Sequence, residues 1–226
     1  MRRLMSVLVA AVAAAAFTGA EAASVPAPAA AARTPVIFVH GLSGGSSVLF
    51  KEMIDKFRAA GWTDRELIRW DYDWKQSNFI TADQFAKKVD QVRKDTKAVK
   101  VDIVAHSMGS LPTRHFIKSL GGAEKTAHWV SIGGVNHGTV ASFACFWDSC
   151  ADMRQSSKML KSLNAGDETP GAVKYQTQSS SCDEIALPHS TVPLAGARNI
   201  DVGCLEHILM PKGDKVITQT IAFLTT

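Results

Sequence analysis

The apolar positions of this chain fall into two alternating rhythms. Residues 35–39 and 101–104 are short β-rich runs, centred on Val, Ile and Phe and nearly free of polar positions, and they read as strands buried on both faces. Elsewhere the apolar residues recur at helical spacing. Phe50, Ile54 and Phe57 predict a helix over 47–61 that stops at Gly61, and Phe85, Val89 and Val92 predict another over 83–97. Leu111, Phe116, Ile117 and Leu120 predict a helix over 111–120, and a last one is expected over 215–224. Further strands are predicted over 66–72, 128–132, 173–177 and 197–202. From Val135 to Asp167 the pattern loosens, with one short helical piece around 153–163. Strand alternating with helix argues for an α/β fold: a mostly parallel sheet with helices on both faces, in a single domain over 35–226.

The N-terminus follows a different rule. Arg2 and Arg3 precede an apolar stretch over 4–17, and Ala20-Glu21-Ala22 offers a small-x-small cleavage site. This is the pattern of a secretory signal peptide over 1–22, cleaved after Ala22 or, failing that, Ala23, with a Pro/Ala-rich flexible lead-in over 23–34. No other stretch is long and apolar enough to span a membrane. A chain of 226 residues with 46% hydrophobic and 20% charged residues suits one domain with a sizeable core, and a monomer is expected. The formal charge is +4, and cleavage would remove Arg2, Arg3 and Glu21. Basic residues are interspersed, without the blocks that nucleic-acid binding requires.

Export changes how the cysteines are read. Cys145, Cys150, Cys182 and Cys204 should form two disulfides in an oxidising compartment, and three connectivities are open. No C-x-x-C pair is present, so no zinc site is expected.

The candidate chemistry centres on residues 105–109, Ala-His-Ser-Met-Gly. Ser107 lies between a buried strand and an amphipathic helix, flanked by the small residues Ala105 and Gly109. That is the arrangement of a nucleophile elbow, with Ala105 in place of the usual first glycine. A serine hydroxyl needs a base to take its proton, and the base needs a carboxylate to fix its tautomer. In hydrolases built on this elbow the acid and then the base follow the serine. His40 and His106 precede Ser107, and His115 and His128 fall inside predicted elements. Of His137, His189 and His207, only His207 follows the last predicted strand, and it is favoured over His189. Acid candidates are Asp148, Asp152, Asp167, Glu168, Asp183, Glu184 and Asp201, with Glu124 and Glu206 less well placed. Asp183, just beyond the strand predicted over 173–177, is favoured.

Cys182 adjoins Asp183, and Cys204 lies just before His207. A Cys182–Cys204 bridge would tie the acid loop to the base loop, leaving Cys145–Cys150 as a small local loop. The oxyanion formed in acyl transfer needs donors. Met108 N–H, next to the nucleophile, and Leu42 N–H, in the His40-Gly41-Leu42 turn after the first strand, are the candidates.

Residues 35–44 (Pro-Val-Ile-Phe-Val-His-Gly-Leu-Ser-Gly) and 101–109 (Val-Asp-Ile-Val-Ala-His-Ser-Met-Gly) resemble the class 2 lipases, the small secreted bacterial lipases of the Bacillus lipase A type. Ile132-Gly-Gly-Val-Asn136, Gly196-Ala-Arg-Asn199 and the surroundings of Asp183 and His207 extend the likeness over most of the chain. The resemblance implies an α/β-hydrolase fold and hydrolysis of carboxylic esters, acylglycerols in particular. It also implies Ser107, Asp183 and His207 as a triad, with Leu42 and Met108 as oxyanion donors; this mechanism needs no metal or organic cofactor. The chain departs from the smallest members in its longer, cysteine-bearing segment over 137–175, which could cover the acyl pocket as a lid. Phe143, Phe146, Trp147 and Met153 in that segment either rim the pocket toward a lipid or oil–water surface or pack down as core. Trp62, Trp70, Tyr72 and Trp74 are read as core and sheet-edge residues. A cutinase-like polyester depolymerase is the alternative activity, and a catalytically silent binding protein the alternative class.

Overall fold

All four residues of β1 (Val36–Val39) are buried, and its two sides enter different cores. In the computed structural model, which describes residues 33–226, Val36 and Phe38 pack with Phe50, Phe57, Val216 and Phe223. Ile37 and Val39 pack with Phe85, Val89 and Phe116 on the opposite face. Double burial is why the run shows no polar alternation. The signal peptide expected over 1–22 lies outside the described residues, as does all but the end of the lead-in.

The sheet holds β1, β2 (Leu67–Trp70), β3 (Val101–His106), β4 (Thr126–Ile132), β5 (Lys174–Ser179) and β6 (Arg198–Asp201). Their order is β2-β1-β3-β4-β5-β6, and every pairing is parallel. The helices are α1 (Ser46–Leu49), α2 (Lys51–Ala59), α3 (Asn78–Thr96), α4 (Ser110–Ser119), α5 (Asp148–Asp152), α6 (Lys158–Leu163) and α7 (Asp214–Leu224). α2 and α7 cover one face, α3 and α4 the other. This is the α/β-hydrolase arrangement. Chain progression reverses between β1 and β3, and in open parallel sheets the crevice beyond the strand ends at such a point is where ligands bind. Among the described residues, no helix is long and apolar enough to cross a membrane.

Three predicted elements come out differently. The helix expected over 47–61 is two helices, broken at Phe50, whose ring packs 5.3 Å from that of Phe38. α3 begins at Asn78 rather than at 83. Ser77 Oγ accepts the Phe79 N–H, and the distant Asp152 carboxylate accepts the Asn78 N–H at 2.7 Å. The loose segment holds a 3-10 turn at Val140–Ala144 and then α5 and α6, not one helical piece. These short helices close over an apolar cluster containing Cys145, Cys150, Met153, Met159 and Leu160, joined to Met108 and Leu111. Met153 is therefore core, whereas Phe143, Phe146 and Trp147 remain exposed. Trp62 is buried, and Trp70, Tyr72 and Trp74 pack partly buried against the cores.

Candidate active site

β3 delivers Ser107 to the crevice in a left-handed conformation, φ 56°. A non-glycine residue is uncommon there, and at Ser107 the surrounding packing holds it. Two glycines permit the packing. A Cβ at Gly109 would lie 2.5 Å from the His40 carbonyl oxygen, and one at Gly41 would lie 2.7 Å from Ser107 Cβ. Ser110 Oγ donates to the Ser107 carbonyl at 2.7 Å, and Thr113 Oγ1 to that of Gly109 at 2.8 Å. Met108 follows in a 3-10 turn (Ser107–Gly109) that leads into α4.

The turn after β1 is braced from the stretch that follows the neighbouring β2. Tyr72 stacks on the His40 ring at 4.4 Å and donates its hydroxyl to the His40 carbonyl at 2.8 Å. Burial lowers the pKa of His40, whose Nδ1 donates to the Gly41 carbonyl at 2.7 Å. Leu42 then lines the crevice.

His207 opens a 3-10 turn (His207–Lys212) and is held from several sides. Its Nδ1–H donates to Asp183 Oδ2 at 2.8 Å, which leaves Nε2 as the bare ring nitrogen. Its backbone N–H donates to Glu184 Oε2 at 3.0 Å, and its carbonyl accepts from His106 Nε2 at 3.0 Å. The His106 ring lies 4.6 Å from that of His207. Burial, reinforced by the neighbouring His207, drives the His106 pKa down to about 3, so it stays neutral while it donates. His207 Nε2 is buried with no hydrogen-bond partner among the described residues, Ser107 Oγ included.

Asp183 is 2% exposed. Burial pushes its carboxyl up, but the hydrogen bond and charge of His207 and the N–H groups of Ala186 and Ile185 hold it below the usual carboxylate range. Those N–H groups donate to Oδ1 at 2.8 and 2.9 Å. His189, the alternative base, instead donates Nε2 to the Asp183 carbonyl at 2.9 Å. Disulfides join Cys182 to Cys204 and Cys145 to Cys150. Beside the first bridge, Ser180 Oγ donates to the Leu205 carbonyl at 2.6 Å and accepts the Leu205 N–H at 2.8 Å.

Ser107, His207 and Leu42 line one cavity of about 270 Å³, together with Gly41, Glu184, Ile185 and Ile208. A larger, more open groove beside it is lined by Cys182, Cys204, Leu205 and Leu209 and shares Glu184. The cavity wall is drawn from the turn at 41–44, from Leu49 of α1 and from residues 106–107, 184–185 and 207–208, and the segment over 137–175 packs beside it. Other candidates stand apart. His137 pairs with Glu168 at 2.7 Å, Asp152 is taken up at the start of α3, and Asp201 Oδ1 accepts the Gly203 N–H. Among the described residues, no group of three His, Cys, Asp or Glu side chains is placed to hold a metal ion.

A family model, lipase (class 2), matches residues 33–193, well over half the chain. The chain belongs to the class 2 lipases. This lipase superposes on the mature form of Bacillus licheniformis lipase BlEst2 with a TM-score of 0.72 at 18% identity, covering 90% of this chain and 96% of that one. It superposes on Aspergillus fumigatus lipase B with a TM-score of 0.74 at 19% identity, covering 86% of this chain and 53% of that one. At these identities the likeness is one of fold. The lecithin-cholesterol acyltransferase-like 4 protein of Arabidopsis thaliana is 38% identical over 71 residues, 30% of this lipase but only 13% of its own length. Family and fold together support a carboxylic-ester hydrolase of the lipase or esterase type, and two disulfides are consistent with an extracellular setting.

The sequence does not reveal the supporting contacts of His106 and Tyr72, and Glu184 and His189, weighed there as acid and alternative base, instead brace the backbones of His207 and Asp183. Each contact is to a backbone group, which no motif encodes.

Proposed function

We propose that the protein is a secreted serine lipase or esterase that works through an acyl-enzyme on Ser107. The observation that carries this reading is the 2.8 Å His207–Asp183 hydrogen bond, with a bare Nε2 on the His207 ring and Ser107 in the same cavity. Ser107 Oγ attacks the ester carbonyl carbon while His207 Nε2 takes its proton. The Ser107–His207 hydrogen bond forms as the substrate excludes water, since such contacts tighten in the Michaelis complex. Leu42 and Met108 N–H groups receive the oxyanion. Collapse breaks the ester C–O bond, and His207 returns the proton to the leaving alcohol. Water then attacks the acyl-enzyme by the same route and releases the acid. Asp183 stays ionised and orients the ring. Export rests on the basic-apolar-small pattern over 1–22 and on the two disulfides.

The test is hydrolysis of p-nitrophenyl esters of increasing acyl length by the mature protein and its Ser107→Ala variant. Release by the wild type alone supports the nucleophile, and the chain-length profile separates esterase from lipase. Equal background release by both overturns the reading. N-terminal sequencing of the exported protein should give Ala23 as the first residue.

A further inference from the structure

An ester has two arms, and two spaces meet at the candidate site. The cavity that holds Ser107 and His207 is bounded by the turn at 41–44 and by the apolar side chains of Leu49, Ile185 and Ile208. The groove beside it, about 680 Å³, is walled by the Cys182–Cys204 bridge together with Leu205, Glu206 and Leu209. These last three flank His207 along the chain, and the bridge fixes their wall against the acid loop. Glu184 faces both spaces.

This division matches the two ends of the reaction. His207 is 5% exposed, and its Nε2 has no hydrogen-bond partner among the described residues. On the mechanism above, that nitrogen returns the proton to the leaving alcohol oxygen. The carbonyl oxygen turns the other way, toward the N–H of Leu42 in the 41–44 turn. The alcohol arm therefore leaves on the His207 side, where the groove lies, and the acyl arm stays in the cavity.

The groove carries charge of one sign. Glu184 and Glu206 are both exposed, and among the described residues neither forms an ion pair. Asp183, whose carboxyl is held below the usual range, adjoins Glu184 in the chain and adds to the same field. No Lys or Arg lines either space. Of the cations on neighbouring turns, Lys56 pairs with Asp214, and Lys215 turns its ammonium to the Asp201 carbonyl at 3.1 Å. Lys212 is exposed beyond Leu209 and stands outside the lining. A cleft lined by one sign of charge concentrates the opposite sign. Here it favours an ammonium group whose carbon chain rests on Leu205 and Leu209, and it disfavours an anion.

We propose that the groove is the alcohol-side subsite and that it selects esters of cationic, ammonium-bearing alcohols. The proposal rests on the hydrolase reading above and names the substrate class that reading leaves open.

The test compares butyrylcholine with its neutral isostere, in which carbon replaces the nitrogen. Both are given to the mature, disulfide-intact protein, with the rate of Ser107→Ala subtracted. At low salt kcat/KM should favour the cationic ester roughly tenfold, and the preference should shrink as salt is added. Glu206→Gln should reduce the preference roughly threefold, and Glu206→Lys should abolish it. The preference is a ratio of two substrates on one enzyme, so a variant of low activity still reports it. The reversed pair, ethyl trimethylammoniobutyrate and its carbon isostere, carries the charge on the acyl arm and should show no preference. Equal kcat/KM for butyrylcholine and its isostere overturns the proposal, as does a preference that neither Glu206 variant moves. An equal preference in the reversed pair overturns the assignment of the groove to the alcohol arm. Hydrolysis of both butyrate esters at one rate leaves the catalytic reading standing, whereas hydrolysis of neither overturns that reading and this one together.

Discussion

Two histidine–aspartate pairs in this molecule share the same spacing in different settings. His128 Nδ1 lies 2.8 Å from Asp102 Oδ1, and His207 Nδ1 lies 2.8 Å from Asp183 Oδ2. Both carboxylates are almost fully buried. They differ in their remaining atoms. Asp183 turns its second oxygen to two backbone N–H groups, whereas Asp102 uses Oδ1 for both the ring and the backbone N–H of His128, and among the described residues its Oδ2 has no donor. Burial therefore raises the Asp102 pKa in spite of His128, while the donors around Asp183 lower its own. Position differs too. Asp102 lies at the N-terminal end of β3, with the ring of His128 against that of Phe223, and Asp183 lies beyond the C-terminal end of β5, at the crevice. A close His–Asp contact identifies nothing by itself; the unused atoms and the end of the sheet do.

Removing one charge from each pair should separate them most widely. Asp183→Asn should lower kcat on a soluble ester roughly 10³–10⁴-fold, while Asp102→Asn keeps wild-type kcat. Similar losses from both would erase the distinction. The two disulfides repeat the contrast on a smaller scale. Replacing Cys182 and Cys204 with Ser should cost about 3 kcal/mol in urea unfolding and lower kcat as well. The same change at Cys145 and Cys150, only 5 residues apart, should cost less and spare kcat. His128→Leu, which leaves Asp102 short of its main donor, should cost about 1–3 kcal/mol with no change in turnover.

The gentlest test is pH. The Asp183 pKa is depressed on folding, so the stability it contributes is present above the unfolded carboxylate value and is lost as pH falls through the folded one. Asp102 is raised, so its contribution is present below the unfolded value and falls away as pH rises toward the folded one. Urea unfolding across the acid range should therefore show Asp183→Asn and Asp102→Asn changing the slope of stability against pH in opposite directions. Slopes of the same sign would contradict the assignment.

The parallel sheet was legible because β1 and β3 bury both faces, so that β1 is wholly apolar and β3 is broken only by Asp102 before its final His106. The turn at Ser107 was legible because a strained turn between strand and helix demands small neighbours, and Ala105 and Gly109 supply them. Chain order and the cysteine positions pointed to Asp183 and His207, which the fold brings within 2.8 Å of each other. What could not be read depends on partners far along the chain. Asp152 sets the start of α3 across 74 residues, and His106 reaches the His207 carbonyl across 101. Phe50 breaks the helix expected over 47–61 because tertiary packing against Phe38 outweighs local periodicity. The fate of Phe143, Phe146 and Trp147 was open because hydrophobicity alone does not distinguish a buried ring from one held outward by a disulfide.

The strand order carries a consequence for how this molecule comes into being. From β3 onward each new strand is laid against the last, toward one margin of the sheet. The serine turn belongs to the first half of the chain, and the imidazole that faces its cavity arrives only after the outermost strand, β6, is in place. On the proposed mechanism, a nascent or truncated polypeptide thus carries a serine hydroxyl without its base. Turnover by that route begins only when the final margin has closed, so an activity assay would also be an assay of completed folding.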